Sequence, residues 1–256
     1  MQPAEVANGY HPDWSPDGSQ IVFADQDKGL WTMSAEGASP QLIQECEGCD
    51  FPAWSPDGKR IAYTQYTNAT DSQPPAASTL VVLDLATKEL TEVTSAKQPK
   101  LVDVPRWSPD GARLVYGIDL FDGDFAEAGS AIAVVSVKGG KPKLLTDFDQ
   151  YAYYPDWNRV TNEIVFSTET MGFAATPPPA SDTWDLFTIS PDGTGLRALT
   201  DVQEGRLWQP SWTPDGTRIT ATQDLAGSRS AVWVGTDGAV SARLTSATHT
   251  RLQPTP

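Results

Sequence analysis

Histidine and cysteine are almost missing from this chain, with two of each among 256 residues. Both cysteines fall in Cys46-Glu47-Gly48-Cys49. Two thiolates do not complete a four-coordinate zinc site, and His11 and His249 lie far away in sequence. Cations are scarce too: 18 Lys and Arg stand against 33 Asp and Glu, for a formal net charge of −15. That balance argues against nucleic acid and anionic lipid as partners, since both select basic surfaces. It permits a basic partner, and it equally serves plain solubility. No apolar run reaches the ~18 residues of a membrane span, so no membrane insertion is expected. The opening Met1-Gln2-Pro3-Ala4-Glu5-Val6 has no basic-then-apolar export pattern. The expectation is an intracellular protein or one whose export signal has been removed. No Gly-x-Ser-x-Gly nucleophile elbow, phosphate-binding loop or metal-ligand constellation is found.

What the chain has in quantity is one repeated stretch. Pro12-Asp13-Trp14-Ser15-Pro16-Asp17-Gly18 runs into Ile21-Val22-Phe23. Pro52-Ala53-Trp54-Ser55-Pro56-Asp57-Gly58 and Pro105-Arg106-Trp107-Ser108-Pro109-Asp110-Gly111 repeat it, and Pro210-Ser211-Trp212-Thr213-Pro214-Asp215-Gly216 repeats it again. A worn copy, Pro155-Asp156-Trp157, has lost the Pro, Asp and Gly of the turn. The tryptophans recur every 40 to 55 residues, a period that marks an array of supersecondary units.

Ser-Pro-Asp-Gly is turn chemistry. Pro presets φ, Asp suits the next corner, and Gly accepts the left-handed conformation that closes a bulged hairpin. Alternating apolar residues after it mark a second strand. Third strands follow at Leu30–Met33, Leu80–Leu83, Ile132–Val135, Leu186–Ile189 and Val232–Val234, and a short fourth strand ends each unit. Radial repetition of such four-stranded antiparallel units is an all-β propeller. The reading is a single propeller domain, 1–256, of five blades at about 10–45, 50–95, 103–147, 153–201 and 208–246, with a tail at 247–256. The tail's Arg251-Leu252-Gln253-Pro254 resembles Arg206 to Pro210, so closure by the tail and a fragment of a longer propeller stay open as alternatives. Pro two residues before each Trp suits an unpaired inner edge, and the repeated Trp is expected between blades. In the worn copy Thr161 stands where glycine is needed, so that turn is expected to differ.

The repeat, Pro-x-Trp-Ser-Pro-Asp-Gly-x-x-Ile-x-Phe followed by strands like Leu186-Phe187-Thr188-Ile189-Ser190-Pro191-Asp192-Gly193, resembles the TolB-like propeller family from about Tyr10 to Thr245. The resemblance implies a bacterial envelope protein, periplasmic or extracellular, whose propeller is a protein-interaction platform. Related repeats accompany serine peptidase domains, polysaccharide lyases and extracytoplasmic sensors. TolB itself has six blades and an N-terminal α/β domain, and neither is read here.

In a propeller the second-to-third strand loops and the links between blades emerge on one face. The long loops are read as 64–79, 117–131 and 167–185. The same face takes the residues entering each first strand: Tyr10 and His11, Asp50 and Phe51, Asp103, Tyr153 and Tyr154, and Trp208. Phe121, Asp122, Asp124 and Trp184 join them from the loops. Aromatics and carboxylates round a channel mouth make a candidate site for a protein or peptide, or for a glycan. They equally serve to plug and solvate the channel. No cofactor is expected. Asp119, Asp122, Asp124 and Glu127 make calcium the one candidate, although their spacing is not that of an EF-hand. Cys46 and Cys49 are read first as a local disulfide, with free thiols or a redox or metal role as alternatives. The function read from the residues is a non-enzymatic binding scaffold working through the long-loop face. The alternative is a carbohydrate-binding or carbohydrate-active propeller using Trp208, Tyr153, Trp184, Asp50 and Asp103 at the channel mouth.

Overall fold

The computed structural model describes residues 9–25, 27–67, 75–97, 99–121, 127–169 and 183–243. Nearly all of them are strand or turn, with one short 3-10 helix at Phe148–Gln150. The first meander is β1 (Tyr10–Trp14), β2 (Gln20–Asp25), β3 (Gly29–Ser34) and β4 (Gln41–Glu45). The second is β5 (Cys49–Trp54), β6 (Arg60–Thr67), β7 (Ala77–Asp84) and β8 (Leu90–Lys97). The third is β9 (Lys100–Trp107), β10 (Arg113–Phe121), β11 (Glu127–Ser136) and β12 (Lys143–Leu144). The fourth is β13 (Ala152–Trp157), β14 (Ile164–Glu169), β15 (Trp184–Ile189) and β16 (Arg197–Ala198). The fifth is β17 (Arg206–Trp212), β18 (Arg218–Leu225), β19 (Ser228–Gly235) and β20 (Val240–Arg243). Each is an antiparallel run in sequence order, and one parallel pair, Trp184↔Arg206, joins the fourth to the fifth. These are four-stranded propeller blades.

The chain divides into two compact units, Met1–Gly129 with Ala133–Lys143, and Ser130–Ile132 with Leu144–Pro256. In the first unit β1 packs beside β5 and β5 beside β9; in the second, β13 packs beside β17. First strands therefore neighbour first strands, which makes them the inner strands of their blades.

The hairpin turn forms as its residues dictate. The Gly18 N–H donates to Ser15 O at 2.9 Å, the Ser15 N–H closes on Gln20 O, and Gly18 takes φ +70°. Gly58, Gly111 and Gly216 repeat this at φ +68°, +64° and +68°. In the worn copy the ends still meet, Asn158 N–H to Glu163 O at 2.8 Å. The positive φ, +63°, moves from Thr161 to Asn162, a residue that tolerates the left-handed region. Asn158 Oδ1 accepts from the Val160 and Thr161 N–H groups, doing the work of the lost aspartate.

The turn aspartates are held ionised. The Ser15 hydroxyl and then the Ser19 N–H and hydroxyl bring Asp17 down to about 2, and the Thr213 hydroxyl and Thr217 do the same for Asp215, to about 2. Asp110 is lowered chiefly by the Ser108 hydroxyl. At Asp57 burial pushes upward, but the Ser55 hydroxyl, the Lys59 N–H and the nearby Arg60 and Lys59 charges prevail. A depressed folded-state pKa contributes stability that is present above the ordinary carboxyl value and is lost as pH falls through the folded one. From the ordinary 3.8 to about 2 is therefore the window in which these turns loosen. The variant Asp17→Asn/Asp215→Asn is expected to be less stable than the parent at neutral pH and to lose less urea resistance across that window. Parallel acid profiles for the two proteins would refute it.

Trp54, Trp107 and Trp212 pack between blades, and Trp14 does not. Trp54 is 4% exposed against Val22, Ala24 and Leu30 of the first blade. Trp107 is 3% exposed against Ala53, Ala62 and Leu80 of the second. Trp212 packs on Val165 and Leu186 of the fourth. Trp14, at the same place in the repeat, is 53% exposed, which corrects the expectation that every copy is packed between blades. In the first unit no described blade precedes it. Carboxylates add a second device. Asp13 Oδ2 accepts the Trp54 backbone N–H at 2.7 Å, and Asp156 Oδ2 accepts that of Trp212 at 2.6 Å. Only these two copies of the motif read Pro-Asp-Trp.

Candidate functional site

The inner strands share a corner that shapes both candidate sites. The residue before each motif proline has positive φ: His11 +48°, Phe51 +50°, Val104 +47°, Tyr154 +52° and Gln209 +50°. The ladders slip register at the same places, between Tyr10 and Asp13, Asp50 and Ala53, Tyr153 and Asp156, and Trp208 and Ser211. Each is a β-bulge, which kinks the strand and re-aims side chains. A proline without an N–H falls where the ladder is already interrupted, so the bulge and the proline explain each other. The left-handed residue is strained in every copy, since none is glycine.

In the first unit the bulges bring together His11, Asp50 and Phe51. His11 Nδ1 lies 2.6 Å from Asp50 Oδ1. The same oxygen accepts the Phe51 N–H at 2.8 Å. The His11 ring stacks on Phe51 with centroids 3.8 Å apart and planes 24° apart. The carboxylate side chain is 4% exposed and the imidazole side chain 35%, so the acid is the fixed partner and the histidine faces outward. Tyr10 is 45% exposed at the start of β1. Asp103 sits across from Gly117 on β10, and a Cβ at Gly117 would come 2.5 Å from the Asp103 Oδ1, so that glycine makes room for the carboxylate. Phe121 ends β10, half-buried, its N–H donating to Pro99 O at 2.7 Å. Cys46 and Cys49 are joined in a disulfide just before Asp50.

In the second unit the corner collects aromatics. Tyr153 stacks on Trp184 at 5.0 Å with planes 13° apart. Tyr154 is 6.3 Å from Tyr153 and meets Trp208 edge-on at 6.2 Å. Two arginines that sequence reading missed complete the patch. Arg206 lies over Trp184 at 5.7 Å and Arg229 over Trp208 at 4.9 Å. The parallel pair Trp184↔Arg206 places the first. The ladder pair Asp224↔Arg229, reinforced by an ion pair at 3.2 Å, places the second. A signal for Arg206 was its position two residues before Trp208, on the same side of the strand.

One reading needs correction, and others fall outside the described residues. The long loops are shorter than expected, because β6 continues to Thr67, β7 starts at Ala77, β10 reaches Phe121 and β14 reaches Glu169. Polar strand ends at a sheet margin read as loop, although their ladders continue. Asp122, Asp124 and His249 lie outside the described residues. Among the described residues no group of three or more His, Cys, Asp or Glu is placed to hold a metal ion. No described helix is long and apolar enough to cross a membrane.

No protein-family model matches the chain. It is 27% identical over 121 residues to the uncharacterized peptidase YuxL of Bacillus subtilis, a match covering 47% of this chain and 17% of that protein. Its fold resembles the structure of a putative TolB from Agrobacterium tumefaciens, with TM-score 0.69 and 20% identity over 90% of this chain and 78% of the other. It also resembles the β-propeller domain of the Trilobed protease from Pyrococcus furiosus, described as having an open velcro topology, with TM-score 0.62 and 16% identity over 91% and 68%. At these identities the likeness is one of fold. This chain is an all-β propeller, and its fold resembles that of TolB.

Proposed function

We propose that this protein is a non-enzymatic scaffold that binds a peptide or protein segment at the bulged ends of its inner strands. The observation that carries the reading is the patch of Trp184, Tyr153, Tyr154, Trp208, Arg206 and Arg229. Tyr, Trp and Arg are the residue types that dominate binding energy at protein interfaces, because they offer large rigid contact area with a polar handle. A glycan is the competing ligand. Favouring a peptide, the two guanidinium groups over Trp184 and Trp208 are placed to meet peptide carbonyls or carboxylates. The Cys46–Cys49 disulfide supports an exported, oxidising setting, periplasmic or extracellular.

The test is capture from an envelope extract by the intact chain and by Trp208→Ala. Loss of an interface aromatic of this kind costs about 2 kcal/mol or more, a drop of over tenfold in affinity. Retention of the partner by Trp208→Ala at unchanged affinity would remove the patch from the site. Signal on a glycan array, or hydrolysis of peptide or polysaccharide substrates by the purified chain, would overturn the non-enzymatic peptide reading.

A further inference from the structure

The patch has an order that its composition does not convey. Four half-buried rings run in a row, Trp184, Tyr153, Tyr154, Trp208, with successive centroids 5.0, 6.3 and 6.2 Å apart. The planes turn along the row, by 13°, 36° and 72°. A guanidinium lies over each terminal ring. The result is a strip of contacting rings with a guanidinium over each end, in a protein of net charge −15.

Resting on the scaffold reading above, we infer that this strip is a docking site for a proline-rich segment in polyproline II conformation, with acidic residues at its flanks. Three physical points carry this. First, a polyproline II helix rises ~3.1 Å per residue, so one Xaa-Pro dipeptide spans about the gap between neighbouring rings of the row. Second, a surface lined by successive aromatic side chains is the kind that recognises proline-rich chains. A docked helix needs a broad apolar trough instead, and an added strand needs a free ladder edge, whereas the strip is built of side chains. Third, such a ligand makes no internal hydrogen bonds, so its carbonyls and flanking carboxylates need donors from the site. Arg229 spends its Nε on Asp224 at 3.2 Å, and a guanidinium carries more N–H donors than that contact uses. The preformed ligand helix also lowers the ordering cost of binding.

The experiment is a fluorescence-anisotropy titration of the full chain. Two labelled peptides are used: one of about twelve residues with Xaa-Pro repeats and a Glu at each end, and its counterpart with every Pro replaced by Ala. The expected result is saturation by the proline peptide at a Kd of roughly 10–100 µM and at least about tenfold weaker binding of the alanine peptide. Tyr154→Ala and Trp208→Ala are expected to lose at least about tenfold. Tyr154→Phe, which keeps the ring and serves as the folding control, is expected to retain binding. Equal binding of the two peptides overturns the polyproline inference and leaves the peptide scaffold standing. Binding of neither peptide, with envelope capture still dependent on Trp208, does the same. Proline-peptide binding that survives Trp208→Ala and Tyr154→Ala places the site elsewhere and overturns the inference too.

Discussion

Replacing Trp107 by alanine is expected to lower the free energy of unfolding by about 3–5 kcal/mol, a large share of the 5–15 kcal/mol typical of a folded domain. The side chain is 3% exposed in a cluster with Ala53, Ala62, Leu80 and Val82. Its indole N–H donates to Ala53 O at 2.9 Å, so truncation also strands a carbonyl of the neighbouring blade. Arg60 covers the ring at 4.7 Å and donates to Gly111 O at 3.1 Å. Removing the ring frees that arginine and loosens the Ser108–Gly111 turn it braces. The loss is a cavity plus a carbonyl deprived of its indole donor.

The same substitution at Trp14 supplies the control. There the identical motif leaves a ring 53% exposed, and the expected cost is under about 1 kcal/mol. Urea denaturation of the two variants beside the parent measures both. Equal losses would show that Trp14 is covered in solution. A small loss at Trp107 would contradict the packing of the second blade on the third.

The repeat was fully legible because each of its letters has a local job. Pro16, Asp17 and Gly18 write a turn whether or not anything packs on it, and Ile21 and Phe23 alternate around it. Even the worn turn announced itself, since Thr161 cannot take the glycine's conformation and the chain shifts the burden to Asn162. The pre-proline bulges were not legible. A residue before proline is ordinarily extended, and nothing in His11, Phe51, Val104, Tyr154 or Gln209 signals positive φ. The distortion comes from the ladder that each inner strand must share with β2, β6, β10, β14 and β18. Site membership followed the same division. His11, Asp50, Tyr153 and Trp208 could be placed on one end of their blades by strand order. Arg229 could not, because its role depends on the register of the last hairpin, and the spacing of Arg206 from Trp208 gave its side of the strand but not its parallel pairing with Trp184. Burial of the motif tryptophans was read from repetition alone, and repetition does not say what precedes the first copy.

Asp50→Ala is expected to cost about 2–4 kcal/mol, below the 3–5 kcal/mol of a fully buried pair because the partner imidazole side chain is 35% exposed and partly solvated. The carboxylate holds two donors on one oxygen, the His11 Nδ1 at 2.6 Å and the Phe51 N–H at 2.8 Å. Losing it releases an imidazole and a backbone bulge together. Asp50→Asn separates the contributions: its amide oxygen can still accept from Phe51, so a cost near that of alanine assigns the effect to charge, and a cost under about 1 kcal/mol assigns it to the hydrogen bonds. A double-mutant cycle with His11→Ala isolates the pair, with an expected coupling above about 1 kcal/mol. Both His11 and Phe51 sit at strained positive φ, and strain of that kind persists only where the surroundings over-determine it. Asp50 is the group that does so here, joining the first blade to the second across their inner strands. A coupling under about 0.5 kcal/mol would mean that His11 is held by its stacking on Phe51 alone. The first unit's corner would then be a loose surface, and the rigid aromatic row of the second unit would be the better anchor for a ligand.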